Sequence, residues 1–145
     1  MSNLNSTAIL SLGTNIEPRE KHLAQARSRI NDLPSTDIFR ESSIIETEPV
    51  DVPEEFQDKK FLNQVVIIKT SLDVNDFSNK IHKIEDEMGR IRGPIRNTPR
   101  PIDIDIITFD NLVINTPELT LPHPRAHERD FVMTPLKELI PDFKF

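Results

Sequence analysis

Two aspartates, Asp103 and Asp105, lie in an apolar run and have the spacing that most directly suggests chemistry. They alternate with Ile102, Ile104 and Ile106, a period of two that predicts a β-strand. Side chains two residues apart on a strand share a face, with Cα atoms roughly 6.5 Å apart, so we expect both carboxylates to project together. Such a pair can hold Mg²⁺, which prefers oxygen ligands and takes the rest of its shell from water and substrate phosphates.

A group of arginines precedes this strand. It consists of Arg90, Arg92, Arg96 and Arg100, and no acidic residue lies between positions 88 and 102. Guanidinium groups match the geometry of phosphate oxygens. Considered separately, the arginines could be a solvated surface, and the alternation of isoleucine and aspartate could be a half-exposed strand. Considered together, they favour a site for a polyphosphate and its metal.

The composition limits the classes of protein that remain. The chain has 145 residues, 18 of them basic and 24 acidic, for a net charge of −6. This length predicts one domain over residues 1–145, and the negative charge disfavours nonspecific nucleic-acid binding. The absence of cysteine excludes disulfides and thiol chemistry. Because no apolar run has membrane-spanning length and no signal peptide is evident, we expect a cytoplasmic protein without a membrane partner.

The first half of the chain predicts a strand, a helix and a strand. Residues 7–12 form an apolar run that ends at a Gly13–Asn15 turn, and residues 18–32 have helical periodicity. That turn could either cradle a ligand or simply connect strand and helix. Residues 37–46 predict a strand with no clean apolar side, and residues 48–60 predict a long loop of the kind that often forms a lid or binding segment.

The second half predicts a strand over residues 61–70 and a helix capped by Asp73. The helix has an apolar stripe and ends at Gly89; the stripe comprises Val74, Phe77, Ile81, Ile84 and Met88. The aspartate strand over residues 100–109, a hairpin from segments 112–115 and 119–121, and a helix over residues 127–140 follow. Asn63 could be satisfied by backbone groups or could present its amide to a heterocycle.

This order of elements predicts an α+β fold. We expect a ferredoxin-like βαββαβ antiparallel sheet with helices packed against one face, plus a short C-terminal hairpin and helix. Pro135 interrupts the pattern of the last helix and raises a question about its continuity. Such a fold does not by itself specify a function.

Several motifs occur in an order that resembles the 6-hydroxymethyl-7,8-dihydropterin pyrophosphokinases, enzymes of folate biosynthesis. They are Leu-Gly-Thr-Asn at 12–15, Phe-Leu-Asn at 61–63, Gly-Arg-Ile-Arg at 89–92, Pro-Arg-Pro-Ile-Asp-Ile-Asp at 99–105, Leu-Pro-His at 121–123 and Arg-Asp-Phe at 129–131. The resemblance covers about residues 8–142. It implies transfer of the β,γ-diphosphate of ATP to the hydroxymethyl group of a reduced pterin, with release of AMP.

The resemblance also implies a role for individual residues. Asp103 and Asp105 would hold two Mg²⁺ ions, and Arg90 and Arg100 would be catalytic arginines of a closing loop. Other residues on the ATP side would be His82, Glu85, Arg92, Arg96, Ile106, Thr120, His123 and Arg129. The pterin pocket would comprise Gly13, Thr47, Pro49, Val50, Phe61, Asn63 and Phe131. In that pocket the Asn63 amide would pair with the ring edge and Phe131 would stack on the ring face.

The chain departs from the family pattern at four positions. Asn97 lies where a tryptophan is frequent, Pro101 where a small hydroxyl residue is common, Pro124 where an aromatic residue often follows the histidine, and Phe61 where tyrosine is frequent. These departures concern the closing of the loop and the rate of reaction. None of them removes a metal ligand or a phosphate-binding arginine.

Two alternatives to an enzyme are a binding module and a structural domain. A non-catalytic ferredoxin-like module that binds a nucleotide or metabolite, such as a degenerate paralogue, should have lost at least one member of the catalytic set, and all five are present; they are Arg90, Arg100, Asp103, Asp105 and His123. A structural interaction domain would leave the arginines and aligned carboxylates without a role. We therefore expect an enzyme, acting as a monomer on ATP and a pterin, with no nucleic-acid partner.

Overall fold

The computed structural model describes residues 5–48, 60–89 and 101–145. The strands are β1 Ser6–Thr14, β2 Thr36–Glu41, β3 Ile45–Thr47, β4 Phe61–Thr70, β5 Asp103–Phe109, β6 Ile114–Asn115 and β7 Thr120–Leu121. The α-helices are α1 Arg19–Asn31, α2 Val74–Glu87 and α3 Asp130–Leu139, and a short 3₁₀ helix, Ala126–Glu128, precedes α3. No helix within these ranges is both long enough and apolar enough to cross a membrane.

The main sheet has the strand order β2-β4-β1-β5, with β3 also paired to β4. Every one of these pairings is antiparallel. Strands β6 and β7 form a separate hairpin. The predicted α+β class with an antiparallel sheet, helices and a C-terminal hairpin is confirmed, and the strand order is consistent with a ferredoxin-like arrangement.

The two faces of the sheet bury different clusters. Because side chains alternate along a strand, Leu10 and Val66 face α1 and α2, whereas Val65 and Ile67 face α3. We call these surfaces the α1/α2 face and the α3 face. The helices of the predicted βαββαβ unit, α1 and α2, therefore share one face, and the additional C-terminal helix α3 covers the opposite face. The apolar period of α3 identified its buried side, not the face on which it packs.

Several predicted strand bounds differ from the structure: β5 begins at Asp103, and β6 and β7 are shorter than predicted. The predicted strand over residues 37–46 is divided into β2 and β3, because the Ser42 hydroxyl and backbone N–H both bond the backbone of Val65. Strand β1 extends beyond Leu12, because Gly13 and Thr14 still pair with β4. The predicted turn at residues 13–15 thus begins only after Thr14.

Helix α2 has the bounds and cap predicted from its sequence. The Asp73 side chain accepts a hydrogen bond of 2.9 Å from the Asp76 N–H, and Gly89 follows the helix with a positive φ of 91°. Phe77, Ile81 and Ile84 of the predicted stripe are buried.

The predicted loop over residues 48–60 falls largely outside the described residues.

The C-terminal helical segment is divided in two. The predicted helix over residues 127–140 consists of the 3₁₀ turn and α3, and α3 continues through Pro135. Proline lacks the N–H that would bond the carbonyl of Phe131, so one helical bond is missing. Val132, Leu136 and Leu139 are buried against the sheet, and this packing stabilises the helix despite the missing bond.

Candidate active site

Strand β5 presents Asp103 and Asp105 on the α3 face. Both aspartates are half-buried, whereas Ile104 and Ile106 between and beside them are buried on the α1/α2 face. The alternation predicted from the sequence is therefore present in the fold. In the pairing with β1, Asp103 lies opposite Gly13 and Asp105 lies opposite Ser11.

The α3 face is apolar along one part and polar along another. Ile9, Val65, Ile67 and Ile107 belong to the cluster beneath α3. Towards the C-terminal end of β1, the same face carries smaller or polar residues at neighbouring register positions; they are Ser11, Gly13, Asn63, Asp103 and Asp105. The end of the sheet beyond the α3 cluster therefore offers a polar floor to a ligand.

Asn63 is held firmly within this polar floor. It is only 3% exposed, and its Nδ2 donates a hydrogen bond to the Thr47 hydroxyl. A Cβ added to Gly13 would lie 2.8 Å from the Asn63 Oδ1. The missing side chain of Gly13 and the bond to Thr47 together limit the positions that the Asn63 amide can take.

Phe61 lies beside the partners of this amide, and Phe131 packs against the neighbouring α3 cluster. Phe61 begins β4 and pairs with Thr47. Phe131 packs against the α3 cluster, which includes Val65, two residues along β4 from Asn63. The Arg129 guanidinium lies over the Phe131 ring, with its Cζ 5.5 Å from the ring centroid. Pro49 and Val50, which were predicted to complete this pocket, lie outside the described residues.

A cavity of about 280 Å³ lies at the outer edge of β5. It is bounded by α2, the β6–β7 hairpin and the segment that follows the hairpin. Five residues predicted from the resemblance line it, namely His82, Asp105, Ile106, Thr120 and His123. Small-molecule pockets usually have roughly 300–1,000 Å³, so this cavity suits one ring system and not a whole nucleotide.

The backbone of β5 contributes polar groups to this cavity. The Ile104 N–H bonds the Glu85 carboxylate, and the His123 N–H donates to the Ile107 carbonyl over 2.9 Å. In a regular antiparallel strand, the N–H and C=O of alternate residues point to the same edge, so those of Ile106 share the outer edge with the Ile104 N–H. The register shift between β1 and β5 leaves Ile107 without a partner on β1, and its carbonyl bonds His123 at the outer edge as well. This edge can pair with the rim of a planar heterocycle.

The surroundings of the His123 imidazole favour its neutral form. Burial lowers its pKa below the usual value of 6.5; the charges of Arg129 and Arg125 act in the same direction, and Asp105 opposes them. The Arg125 N–H donates to His123 Nδ1 over 3.2 Å. Since Nδ1 accepts, Nε2 carries the ring proton and can donate to a ligand.

Unlike His82, Glu85 is not one of the residues that line the cavity. Its side chain is 1% exposed, and its Oε2 accepts a hydrogen bond of 2.8 Å from the Ile104 N–H. The sequence indicated only that Glu85 lies off the apolar stripe of α2 and could face solvent or a ligand. The structure shows its carboxylate against the backbone of β5.

The two aspartates form a donor set that suits a divalent cation. Within the described ranges, no group of three or more histidine, cysteine, aspartate or glutamate residues forms a metal site. Two carboxylate side chains on one strand face fit Mg²⁺, which commonly binds one or two carboxylates and completes its shell with water and phosphate oxygens. The predicted arginines Arg90, Arg92, Arg96 and Arg100 lie outside the described residues.

Sequence reasoning gave no role to several residues at the site. Asn15 is 6% exposed, and neither polar atom of its amide has a hydrogen-bond partner in the structure. It belonged to a recognised motif, but only Gly13 of that motif was assigned a role. Ser78 and Glu118 line the cavity, and no sequence period pointed to them because the cavity joins elements distant in the chain.

Comparison with known proteins identifies the family. Residues 9–141 match the family model for 7,8-dihydro-6-hydroxymethylpterin-pyrophosphokinase. The chain is 40% identical over 136 residues to the 2-amino-4-hydroxy-6-hydroxymethyldihydropteridine pyrophosphokinase of Bacillus subtilis (strain 168), covering 94% of this chain and 79% of the relative. It is 35% identical to the folate synthesis bifunctional protein of Arabidopsis thaliana, of which it spans only 26%.

Solved structures share the fold at lower identity. A Plasmodium falciparum HPPK-DHPS structure with pteroate aligns with a TM-score of 0.73 and 18% identity, covering 96% of this chain and 39% of that one. A second HPPK-DHPS structure, in complex with substrates, gives a TM-score of 0.70 with 41% of its chain covered. The present chain therefore spans about two-fifths of these longer structures.

Proposed function

The chain belongs to the 7,8-dihydro-6-hydroxymethylpterin-pyrophosphokinase family, and from this membership we propose that it carries out diphosphate transfer in folate biosynthesis. The substrates are ATP and 6-hydroxymethyl-7,8-dihydropterin. The hydroxymethyl oxygen forms a bond to the β-phosphorus of ATP, and the bond between that phosphorus and the α,β-bridging oxygen breaks. AMP leaves, and the hydroxyl proton is released.

The observation that carries this proposal is the position of the aspartate pair between the cavity and the polar floor. Asp105 lines the cavity at the edge of β5. Asp103 lies opposite Gly13, which closely approaches the amide of Asn63. A nucleotide in the cavity and a pterin on the polar floor would bring the triphosphate and the hydroxymethyl group together over the two carboxylates.

We assign the ATP base to the cavity. The outer edge of β5 at Ile106 offers backbone donors and acceptors to the ring. His123, neutral with its proton on Nε2, donates a hydrogen bond, and Thr120 and His82 complete the lining. Arg129 contributes positive charge for the phosphates, and its stacking on Phe131 limits the positions of the guanidinium.

We assign the pterin to the polar floor. The Asn63 amide pairs with the ring edge, while Phe61 and Phe131 supply aromatic faces for stacking. Thr47 orients the amide through its hydroxyl. Such pre-orientation means that little conformational entropy is lost when the substrate binds, which favours reaction between the positioned groups.

Asp103 and Asp105 would hold Mg²⁺, two ions according to the resemblance, which would neutralise the triphosphate and favour ionisation of the attacking hydroxyl. The donor set of two half-buried carboxylates supports this assignment. Arg90 and Arg100 would contact the phosphates as catalytic arginines, with Arg92 and Arg96 nearby. Pro49 and Val50 would complete the pterin pocket. These assignments rest on the sequence motif.

The family match over residues 9–141 also supports one catalytic domain over residues 1–145. The cytoplasmic location and the monomeric state remain predictions from the sequence. The relatives that carry additional domains, such as the bifunctional protein of Arabidopsis thaliana, show that such a unit can be part of a longer chain.

The test is the nucleotide product. ATP and Mg²⁺ are incubated with the protein, with and without 6-hydroxymethyl-7,8-dihydropterin, and the nucleotides are separated by chromatography. We expect AMP only when the pterin is present, in a one-to-one ratio with the diphosphorylated pterin. Formation of ADP would indicate transfer of a single phosphoryl group, and tight ATP binding with no product would favour the non-catalytic alternative. Either result would refute the proposal.

A further inference from the structure

Glu85 is a buried carboxylate beside the Asp103–Asp105 pair without belonging to it. It is 1% exposed, although the helix that carries it presents charged residues to solvent on its other side. An isolated buried carboxylate is costly unless it is hydrogen-bonded. Its location therefore requires a structural or functional explanation beyond the apolar packing of α2.

The hydrogen bond of Glu85 reaches the backbone of β5 between the two aspartates. Its Oε2 accepts from the N–H of Ile104, the residue that separates Asp103 from Asp105. Strand β5 is the last strand in the order of the sheet, so no further strand pairs with its outer edge in the described part of the chain. The carboxylate takes the place that the carbonyl of a neighbouring strand would occupy.

From this arrangement we propose that Glu85 is a positioning residue, which holds β5 at Ile104 so that Asp103 and Asp105 are spaced for one metal–triphosphate complex. This inference rests on the proposed metal role of the two aspartates. It assigns to Glu85 a contact with the backbone, in place of the direct contact with ATP implied by the resemblance.

The physical basis is the geometry of an edge strand. Strand β5 is held on its inner side by β1, through register pairs at Asp103 and Asp105. On its outer side, the Glu85 bond lies between the two aspartates, so twisting of the strand there would change the separation of the carboxylates. Groups that orient metal ligands typically change metal affinity or activity by 10–100-fold when they are removed.

The experiment compares Glu85→Ala, which removes the acceptor, with Glu85→Gln, which keeps a neutral acceptor of similar shape. Glu87→Ala is the matched control on the same helix, because Glu87 is half exposed and pairs with Arg29 at the surface. The binding measurement is calorimetric titration with Mn²⁺ and an ATP analogue whose α,β-bridging oxygen is a methylene group. The same titration with the analogue alone, in EDTA, reports nucleotide binding without metal.

A second readout follows the bond itself. Amide hydrogen exchange at Ile104, measured by NMR on the free protein, reports whether the N–H is protected. We expect Glu85→Ala to raise the exchange rate at Ile104 by about 10–100-fold, because a charge-assisted hydrogen bond is lost. Exchange at Leu10, whose backbone lies in the middle of β1, should change far less and controls for global loosening.

The expected result is a selective loss of metal-dependent binding. Glu85→Ala should weaken binding of the Mn²⁺ complex by about 10–100-fold and leave metal-free nucleotide binding nearly unchanged. Glu85→Gln should restore most of the lost binding.

Equal weakening with and without metal would mean that Glu85 contacts the nucleotide. Equal weakening in the Ala and Gln variants would mean that the charge itself is needed. Either outcome, or wild-type binding in Glu85→Ala, would overturn the positioning role.

Failure of this inference can be separated from failure of the proposed function. If wild-type protein releases AMP only with pterin present, but Glu85→Ala binds the Mn²⁺ complex normally, the enzyme assignment stands and the positioning role is wrong. If the wild-type protein releases no AMP, the function is wrong whatever the exchange rate at Ile104.

Discussion

Asp103 and Asp105 differ in their neighbours although they share a strand face. Asp105 lines the cavity and its charge acts on His123, whereas Asp103 lies opposite Gly13, nearer the Asn63 amide. If both bind metal, the first is nearer the nucleotide and the second nearer the pterin. Neither carboxylate can therefore replace the other.

We predict that Asp103→Ala and Asp105→Ala each lower turnover by at least about 1,000-fold. Metal-assisted charge stabilisation contributes several kcal/mol, and each 1.36 kcal/mol is a factor of ten in rate. Both aspartates are half-buried on a polar surface, so the free energy of unfolding should change by less than about 1 kcal/mol. AMP release and urea denaturation are the measurements, and exposed Asp142 provides a control as Asp142→Ala. Near wild-type turnover in either variant would refute the metal assignment.

Gly13 is required by a close approach and not by an unusual φ. A Cβ at this position would lie 2.8 Å from the Asn63 Oδ1, and Asn63 is buried and bonded to Thr47. Gly13→Ala should therefore displace the amide and cost about 1–3 kcal/mol through overpacking. We also expect weaker pterin binding, measured by calorimetry.

A double-mutant cycle isolates the cause of this cost. In an Asn63→Ala background the added methyl group meets no Oδ1, so Gly13→Ala should then cost less than about 0.5 kcal/mol in the free energy of unfolding. A coupling free energy of about 1 kcal/mol or more is expected for residues in contact. Equal cost in both backgrounds would show that strand propensity, and not the contact with Asn63, explains the effect.

At the scale of elements, the sequence predicted those whose apolar period was clean. In α2 the stripe, the Asp73 cap and the terminal Gly89 agree with one another, and the helix forms over the expected range. In β5 the alternation of isoleucine and aspartate predicted both the strand and the face that the two aspartates share. Each of these signals arises within one element, where local sequence is sufficient.

Features that depend on contacts between distant elements could not be predicted in this way. The break between β2 and β3 follows from bonds of Ser42 to Val65 in another strand. The bond from Ile104 to Glu85 joins residues 19 positions apart in sequence, and the period of α2 assigned Glu85 only to its non-apolar side. The cavity likewise joins α2, β5 and the hairpin, so only the family resemblance suggested its members.

Helix α3 is tied to the break between β2 and β3 by Glu138. The Ser43 N–H donates to its carboxylate over 2.9 Å, and the Ser43 hydroxyl bonds the other oxygen. These bonds from the Ser43 side chain and backbone lower the pKa of Glu138 below its usual 4.5. Although the site is fully exposed, it links two elements that local sequence did not connect.

This link predicts a dependence of stability on pH. Because the folded-state pKa of Glu138 is lowered, the unfolded state binds the proton more readily, and the contribution is present above about pH 4.5 and lost as the pH falls below it. Urea denaturation of the wild type and Glu138→Gln should differ at pH 7, and the difference should shrink as the pH falls below about 4.5. A difference that persists unchanged at pH 3 would contradict this origin. Glu128→Gln, at another exposed glutamate, is the control.

At the scale of the whole molecule, the central strands and the edge strand have different structural roles. Strands β1 and β4 lie inside the sheet, bury side chains on both faces and anchor the two clusters. Strand β5 lies at the edge, where α2 and the hairpin segment cover it without pairing as strands. Such an edge leaves backbone groups for ligands while remaining protected from pairing with another chain.

Because the proposed site draws on β1, β4, β5, α2 and α3, ligands should stabilise the entire fold. With Mg²⁺ and the α,β-methylene analogue of ATP at 100 times their dissociation constant, we predict about 2.7 kcal/mol of stabilisation, roughly 5–10 °C in Tm by scanning fluorimetry. EDTA should remove most of this shift, because the two carboxylates would otherwise face the triphosphate without a cation. Asp105→Ala should reduce the shift even with Mg²⁺, whereas Asp142→Ala should retain it. A shift that is independent of both Mg²⁺ and Asp105 would mean that the nucleotide binds away from β5. Only binding over the aspartate pair makes the stabilisation depend on the metal and the carboxylate together.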